Sequence, residues 1–370
     1  GETSIRMPDR GAGTAMKTSR VRDVQQSRGH LKTIVTEDSS EVVCGLTFLP
    51  ELQCICVVHA DSNVLWLYSL TGDILSFHVV HNMKRPTGMV ALRTKTNTVL
   101  IADGVGECLH VLRLATVGDN NEITVSQHTV WKLRFNPFGL ALFKTDMVLV
   151  VNLVNKAVHI FREDRHDMGA INIAHGDIDP RYYPWCAAGT TKGLWVGCFT
   201  RDNNDGIVHF VKPSGKVGRR CTGTEQPSGQ PLGAIYDITV VPGGDVIICD
   251  FYHDNVQLLN RNGEFKQYLL QATDGIRGPG RMHFDSSTSQ PRLFIGCTNE
   301  DQTIVQVRIY DFNVMQQEPS LFEDIDVNQK GKINEITEDG AGNTNISQSI
   351  ERSPGGATSI IQDQKAQINE

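Results

Sequence analysis

The sequence predicts an all-β protein, a six-bladed β-propeller closed by an N-terminal strand and flanked by disordered tails. The 370-residue chain is 39% hydrophobic and contains 34 glycines, with few long helix-forming runs. A unit of apolar strand, polar loop and second strand recurs six times at a period near 45 residues. A period of this length in strand-rich units is typical of propeller blades rather than of helical solenoids.

The first strand of each unit stops at a polar or small residue. These six residues lie 44, 49, 46, 52 and 47 positions apart, and they are His59, Asp103, Asn152, Cys198, Asp250 and Cys297. Asp and Asn side chains bond backbone amides a few residues on and so end strands. We therefore expect Asp250 and its neighbour His253 to shape a turn rather than to catalyse a reaction.

The segments around each unit fit three or four antiparallel strands. Most of the second strands place His or Gln between two apolar residues, at His110, His159, His209, Gln257 and Gln306. Pro-x-Gly segments precede several units, as at Pro86 and Pro137, and hairpin signals such as Asn262-Gly263 follow.

The two ends of the repeat predict how the ring closes. The sixth unit stops near Phe312 without a clear fourth strand, while Leu31–Val35 precedes the first unit and belongs to none. We expect this strand to pair as the outer strand of the last blade. The domains are then a disordered linker at 1–30, the propeller at 31–313 and a disordered acidic tail at 314–370.

The nine cysteines are an odd number without tight spacing, and most lie in apolar runs. This pattern favours reduced core thiols and a cytoplasmic location over a disulfide framework. No stretch of 18 apolar residues exists, so no membrane partner is expected. Cys54 and Cys56 have the wrong spacing for a zinc knuckle, and the sequence predicts no metal site and no cofactor.

One unit carries a motif that resembles a known repeat. The pattern Asp237-Ile-Thr-Val, Gly244-Asp-Val-Ile-Ile-Cys-Asp250 and Val256-Gln-Leu, preceded by Pro-x-Gly, resembles the NHL repeat, and the likeness extends over about residues 31–313. Six such repeats are similar to the C-terminal propeller of tripartite-motif (TRIM-NHL) proteins. The resemblance implies the target-recognition part of an E3 ubiquitin ligase. It also implies that ligase activity and coiled-coil oligomerisation belong to a missing N-terminal part, because this sequence has no RING or B-box spacing.

The loops before the first strands carry the candidate ligand-binding residues. Because the loops occupy equivalent places in several units, their side chains should converge on one face. The residues are Lys84, Arg85, Lys132, Arg134, Phe135, Arg181, Tyr182, Arg277 and Arg281. Cations for phosphate and aromatics for stacking favour single-stranded RNA, and RNA-binding members of the resembled family use this face. Because acidic loops lie nearby, a protein target is equally compatible with this face.

The alternative is an enzyme. Six-bladed propellers include calcium-dependent lactonases and a zinc-dependent amidating lyase, and Asp103, Asn152 and Asp250 could face a central channel. However, the sequence has no Gly-x-Ser-x-Gly, no His-x-x-x-His and no phosphate-binding glycine loop. The sequence therefore predicts a non-catalytic interaction domain with no catalytic residues, and a propeller hydrolase or lyase with a central-channel metal is the alternative.

Overall fold

The computed structural model describes residues 27–317, apart from 38–41, 121, 174–178, 203–204 and 227, and also residues 337–338 and 344–345. Most of the two tails predicted at 1–30 and 314–370 lies outside the described residues. In the described part of the chain, no helix is long and apolar enough to cross a membrane.

Six four-stranded antiparallel sheets form the blades of a propeller, as predicted. In blades 1 to 5 the four strands follow one another along the chain, from the channel outward. Blade 1 contains β2 (Val43–Leu49), β3 (Cys54–His59), β4 (Val64–Ser69) and β5 (Ile74–Val79); blade 2 contains β6 (Pro86–Ala91), β7 (Thr98–Asp103), β8 (Cys108–Val117) and β9 (Glu122–Lys132). Blade 3 contains β10 (Pro137–Phe143), β11 (Met147–Asn152), β12 (Ala157–Arg162) and β13 (Asp167–Asn172). Blade 4 contains β14 (Tyr183–Thr190), β15 (Gly193–Phe199), β16 (Gly206–Val211) and β17 (Val217–Cys221); blade 5 contains β18 (Ile235–Val240), β19 (Val246–Asp250), β20 (Asn255–Leu259) and β21 (Phe265–Leu270).

Blade 6 combines both ends of the propeller. Its strands are β22 (Arg277–Asp285), β23 (Arg292–Thr298), β24 (Val305–Asp311) and, outermost, β1 (His30–Val35). β1 pairs antiparallel with β24, with Ile34 opposite Val307. The predicted closure by the N-terminal strand is therefore confirmed. The inner strands contact one another in a closed cycle, β2–β6–β10–β14–β18–β22–β2.

Two short helical segments flank the last blade. A 3₁₀ turn at Ala272–Asp274 precedes β22, and the helix α1 (Phe312–Met315) follows β24. Asp311 caps α1 by accepting a hydrogen bond from the Val314 amide at 3.2 Å. Phe312 and Met315 are buried, so the ordered chain continues past residue 313. Separately, β25 (Thr337–Glu338) and β26 (Thr344–Asn345) form a two-stranded antiparallel pair.

The core lies between the blades, because each sheet buries both faces against its two neighbours. All six residues of β3 and of β7 are buried, which explains why these strands read as continuous apolar runs. All nine cysteines are buried free thiols. This agrees with the prediction of core thiols without disulfides.

Every inner strand is irregular near its start. The pairing with the second strand shifts register between Val43 and Gly45, Pro86 and Gly88, Pro137 and Leu140, Pro184 and Cys186, Ile235 and Asp237, and Arg277 and Arg281. Such bulges re-aim the side chains that follow them. In blades 5 and 6 the residues at the end of the bulge are Asp237 and Arg281, and both line the central channel.

Candidate active site in the central channel

The inner strands of all six blades enclose a cavity of about 550 Å³ in the channel. A volume of this size is within the range of small-molecule sites. The lining includes the inner strands and also the turns that follow three of them, at Glu51, Asn97 and Ser287. The cavity therefore extends toward the face of the propeller that carries these turns. The other face carries the loops that connect one blade to the next.

Arg281 lies at the end of the cavity nearest the inter-blade loops and bonds across it to other blades. Its guanidinium donates three hydrogen bonds to backbone carbonyls: Nε to Cys44 at 3.0 Å, Nη1 to Tyr236 at 2.8 Å and Nη2 to Thr87 at 2.7 Å. These carbonyls belong to blades 1, 5 and 2, so one side chain of blade 6 connects four blades. The sequence placed Arg281 on the loop face with Arg277, and this placement is corrected because the bulge in β22 turns Arg281 into the channel.

Asp237 lies beside Arg281 in the channel wall. Its carboxylate accepts hydrogen bonds from the amides of Ile238 at 2.9 Å and Met282 at 2.8 Å. Burial raises the pKa of Asp237, and the Arg281 guanidinium, whose Nη1 is 3.9 Å from Oδ1, only partly offsets this rise. Asp237 therefore holds a proton more readily than an ordinary aspartate.

His283 and Thr47 meet at the seam between blades 6 and 1. Nδ1 of His283 lies 3.3 Å from Oγ1 of Thr47, although the two residues are 236 positions apart. Burial lowers the pKa of His283 to about 4, while Asp285 and Arg292 have smaller, opposing effects. The imidazole is therefore neutral at pH 7, with a nitrogen lone pair that can accept a proton, and it is a weaker base than an ordinary histidine. Asp285 itself accepts from Arg292 Nη2 at 2.7 Å.

The channel thus holds two titratable groups whose pKa values are moved in opposite directions, which is the arrangement that acid–base catalysis uses. The sequence analysis missed both groups in this role. A signal was present, because Arg281, His283 and Asp285 alternate along β22 and so share one face of the strand. Three polar residues on one face of an inner blade strand point into a channel.

A central-channel metal does not fit these residues. In the described part of the chain, the one cluster with metal-ligating geometry is Asp103, Cys108 and His110. These residues lie on the second and third strands of blade 2 and do not line the cavity.

The remaining predicted ligand-binding residues lie on the inter-blade loops, and several have partners within the protein. Phe135 stacks on His159 with ring centroids 4.1 Å apart, so its face is not open to a base. Arg181 pairs with Asp179 at 2.8 Å, and Arg277 donates to the carbonyls of Ala272 and Ile276. Two more of the predicted ligand-binding residues are half-buried, Arg85 and Tyr182. Arg85 lies near Asp61, and Tyr182 forms a hydrogen bond with Asp205. The exposed cations Lys84, Lys132 and Arg134 lie on this face as well.

Comparison with known proteins supports the fold. No protein-family model matches the chain, and no curated protein matches its sequence. Among solved structures, luciferin-regenerating enzyme aligns with 76% of this chain and 96% of its own at 9% identity and a TM-score of 0.54. Virginiamycin B lyase from Staphylococcus aureus, in a catalytically inactive variant with quinupristin, aligns with 78% of this chain and 90% of its own at 11% identity and a TM-score of 0.49. A streptogramin B lyase covers 75% and 96%, at 9% identity and 0.49.

At these identities the likeness shows the six-bladed fold. It also corrects one prediction. The sequence analysis treated the propeller as a non-catalytic interaction domain, yet a solved protein that shares the fold over 76% of this chain is an enzyme. The fold therefore gives no ground for denying the chain an activity of its own, and that prediction is wrong.

Proposed function

We propose that the chain is a small-molecule hydrolase or lyase whose reaction takes place in the channel cavity. The observation that carries the proposal is His283, a half-buried and neutral imidazole held 3.3 Å from the Thr47 hydroxyl in a cavity of about 550 Å³. Concave sites with a few convergent polar groups are where small molecules bind. Arg281 bridges four blades at one end of the cavity, and in this proposal substrate enters from the opposite face, which carries the turns.

In this proposal His283 is the general base. It accepts a proton from the substrate or from a water molecule, and Thr47 fixes the orientation of its ring. Asp237 is the candidate proton donor, because burial raises its pKa. The step requires no metal ligand from the channel, in keeping with a cavity lining whose described residues form no metal-ligating cluster.

The test is turnover of a panel of aryl esters, lactones and activated elimination substrates by the full chain and by His283→Gln. Loss of a general base lowers kcat by about 100-fold or more. The matched control is His209→Gln, because burial lowers the pKa of His209 to about 4 as well, but His209 lies on β16, outside the cavity lining. Activity should fall in the first variant only, and in the wild type as pH is lowered through about 4. Equal turnover in the two variants, or none by the wild type, contradicts the proposal.

A second candidate function is recognition of single-stranded RNA or of a protein target by the inter-blade loops, as the NHL resemblance implies for a TRIM-NHL-like ligase. The observation that favours it is the exposure of Lys84, Lys132 and Arg134 on one face. Replacing all three with alanine should weaken RNA binding and flatten its dependence on salt. RNA binding that is unchanged in this variant removes the inter-blade loop cations as its binding surface, and absence of RNA binding by the wild type removes RNA from the candidates.

A further inference from the structure

Blade 2 brings three different metal-ligating side chains together away from the channel. Asp103 ends β7 and pairs directly with Cys108, which begins β8, and His110 follows two residues later. Residues opposite each other, or two apart on one strand, share a face of the sheet. The three side chains therefore converge between blades, where Asp103 is 0%, Cys108 3% and His110 1% exposed.

The distances between the donor atoms are compatible with an ion between them. His110 Nε2 lies 3.5 Å from Asp103 Oδ2 and 3.7 Å from Cys108 Sγ, and the three donor atoms lie within 4.8 Å of one another. The first separation is long for an N–H···O hydrogen bond, while the second is within the range of a weak hydrogen bond to sulfur. Both separations agree with the edges of a tetrahedron whose metal–ligand bonds are about 2.0–2.3 Å, which are about 3.3–3.7 Å long.

His128 supplies the second contact that a metal-bound histidine needs. Its Nε2 lies 3.0 Å from His110 Nδ1. When Nδ1 of His110 donates to His128, the lone pair of Nε2 points at Asp103 and Cys108. A carboxylate that faces a nitrogen lone pair and a sulfur is stabilised by a cation between them.

We propose that Asp103, Cys108 and His110 bind a zinc ion, with a water molecule as the fourth ligand. Nitrogen, sulfur and carboxylate donors in tetrahedral arrangement favour Zn²⁺ over Mg²⁺ or Ca²⁺. A bound ion deprotonates a coordinating thiol outright, so Cys108 would bind as the thiolate. The site is independent of the channel activity and goes beyond it.

Other blades carry the same repeat positions without the full donor set. Blade 3 has Asn152 opposite Ala157 and then His159, and blade 5 has Asp250 opposite Asn255 and then Gln257. Both lack the thiol. The chain therefore contains its own controls, since substitution at His159 changes the equivalent residue in a blade without the site.

The experiment is titration of the full-length, chelator-stripped chain with Co²⁺ and then with Zn²⁺. We expect one equivalent of Co²⁺ to give a thiolate charge-transfer band and the visible absorption of a tetrahedral centre, both abolished by stoichiometric Zn²⁺. Cys108→Ser and His110→Gln should lose the bands, and His159→Gln should keep them. His128→Ala should weaken binding about 10–100-fold, as expected for a partner that orients a ligand.

The wild-type titration decides the proposal even where a variant fails to fold. Absence of a thiolate-to-cobalt band in folded wild-type protein overturns it. Bands that persist in Cys108→Ser also overturn it, because the thiolate would then come from another cysteine. Near-ultraviolet circular dichroism of each variant shows which of them are folded.

Discussion

Blades 2 and 5 carry an aspartate at the same point of the repeat, and each aspartate ends the second strand of its blade. Asp103 accepts hydrogen bonds from four backbone amides, those of Lys84, Arg85, Val105 and Gly106, at 2.8–3.1 Å. Asp250 accepts from the amides of Gly233 and His253, at 2.9 and 3.1 Å. Both side chains are fully buried.

The difference lies in what surrounds the carboxylate. In blade 5 the Asp250 carboxylate also contacts Nδ1 of His253 at 2.9 Å, and the next polar groups are the neutral amides of Asn255 and Gln257, which bond each other at 2.8 Å. In blade 2 the corresponding positions hold a thiol and an imidazole. The repeat thus fixes the role of the aspartate toward the backbone, while the two positions beside it are free to carry chemistry.

The largest effect should come from removing the aspartates. Asp103→Ala leaves four part-buried amides without an acceptor and should lower the free energy of unfolding by about 4 kcal/mol, since each unsatisfied buried group costs about 1–3 kcal/mol and water relieves part of that cost. Asp250→Ala should cost about 2–3 kcal/mol. Urea unfolding measures both, with a chelator present so that metal binding does not contribute.

Asparagine at each position is the control, because it retains one acceptor oxygen and nearly the same volume. We expect each Asn variant to recover part of the loss. If Asp250→Ala lowered the free energy of unfolding as much as Asp103→Ala, the number of amides that each aspartate binds would not explain its contribution to stability.

Arg281 connects blades 2 and 5, and replacing it should have the next largest effect on the free energy of unfolding. Its guanidinium bonds the Thr87 carbonyl of blade 2 and the Tyr236 carbonyl of blade 5. Arg281→Met should lower the free energy of unfolding by about 3 kcal/mol, because it leaves buried carbonyls without donors. Arg277→Met is the matched control, since Arg277 donates to carbonyls of its own segment, and it should cost about 1 kcal/mol. Equal losses in urea unfolding would mean that the bonds between blades add nothing.

Much of this architecture was predictable because it repeats. The spacing of the strand ends gave six blades, the unassigned strand Leu31–Val35 gave the closure, and the turn role of Asp250 followed from comparing units. The channel was not predictable in the same way. The position of Arg281 in the channel depends on a bulge in β22. The contact between Thr47 and His283 forms because ring closure brings the first and last blades together. The loop-face hypothesis did not anticipate that Phe135 would stack on His159.

Replacing His253 should have the smallest effect on the free energy of unfolding. This effect depends on pH, and only blade 5 of the two blades has it. The Asp250 carboxylate raises the pKa of His253, and burial opposes this rise. A histidine with a raised folded-state pKa contributes stability that is fully present below the unfolded pKa of about 6.5 and is lost as pH rises through the folded value.

His253→Gln should therefore cost about 1 kcal/mol at pH 6 and less at pH 9, measured by urea unfolding at each pH. Blade 2 has Gly106 at this position and no such contribution. A double-mutant cycle with Asp250→Asn isolates the pair. If the coupling energy is the same at pH 6 and pH 9, the contact is a neutral hydrogen bond, and the charge of His253 has no part in stabilising blade 5.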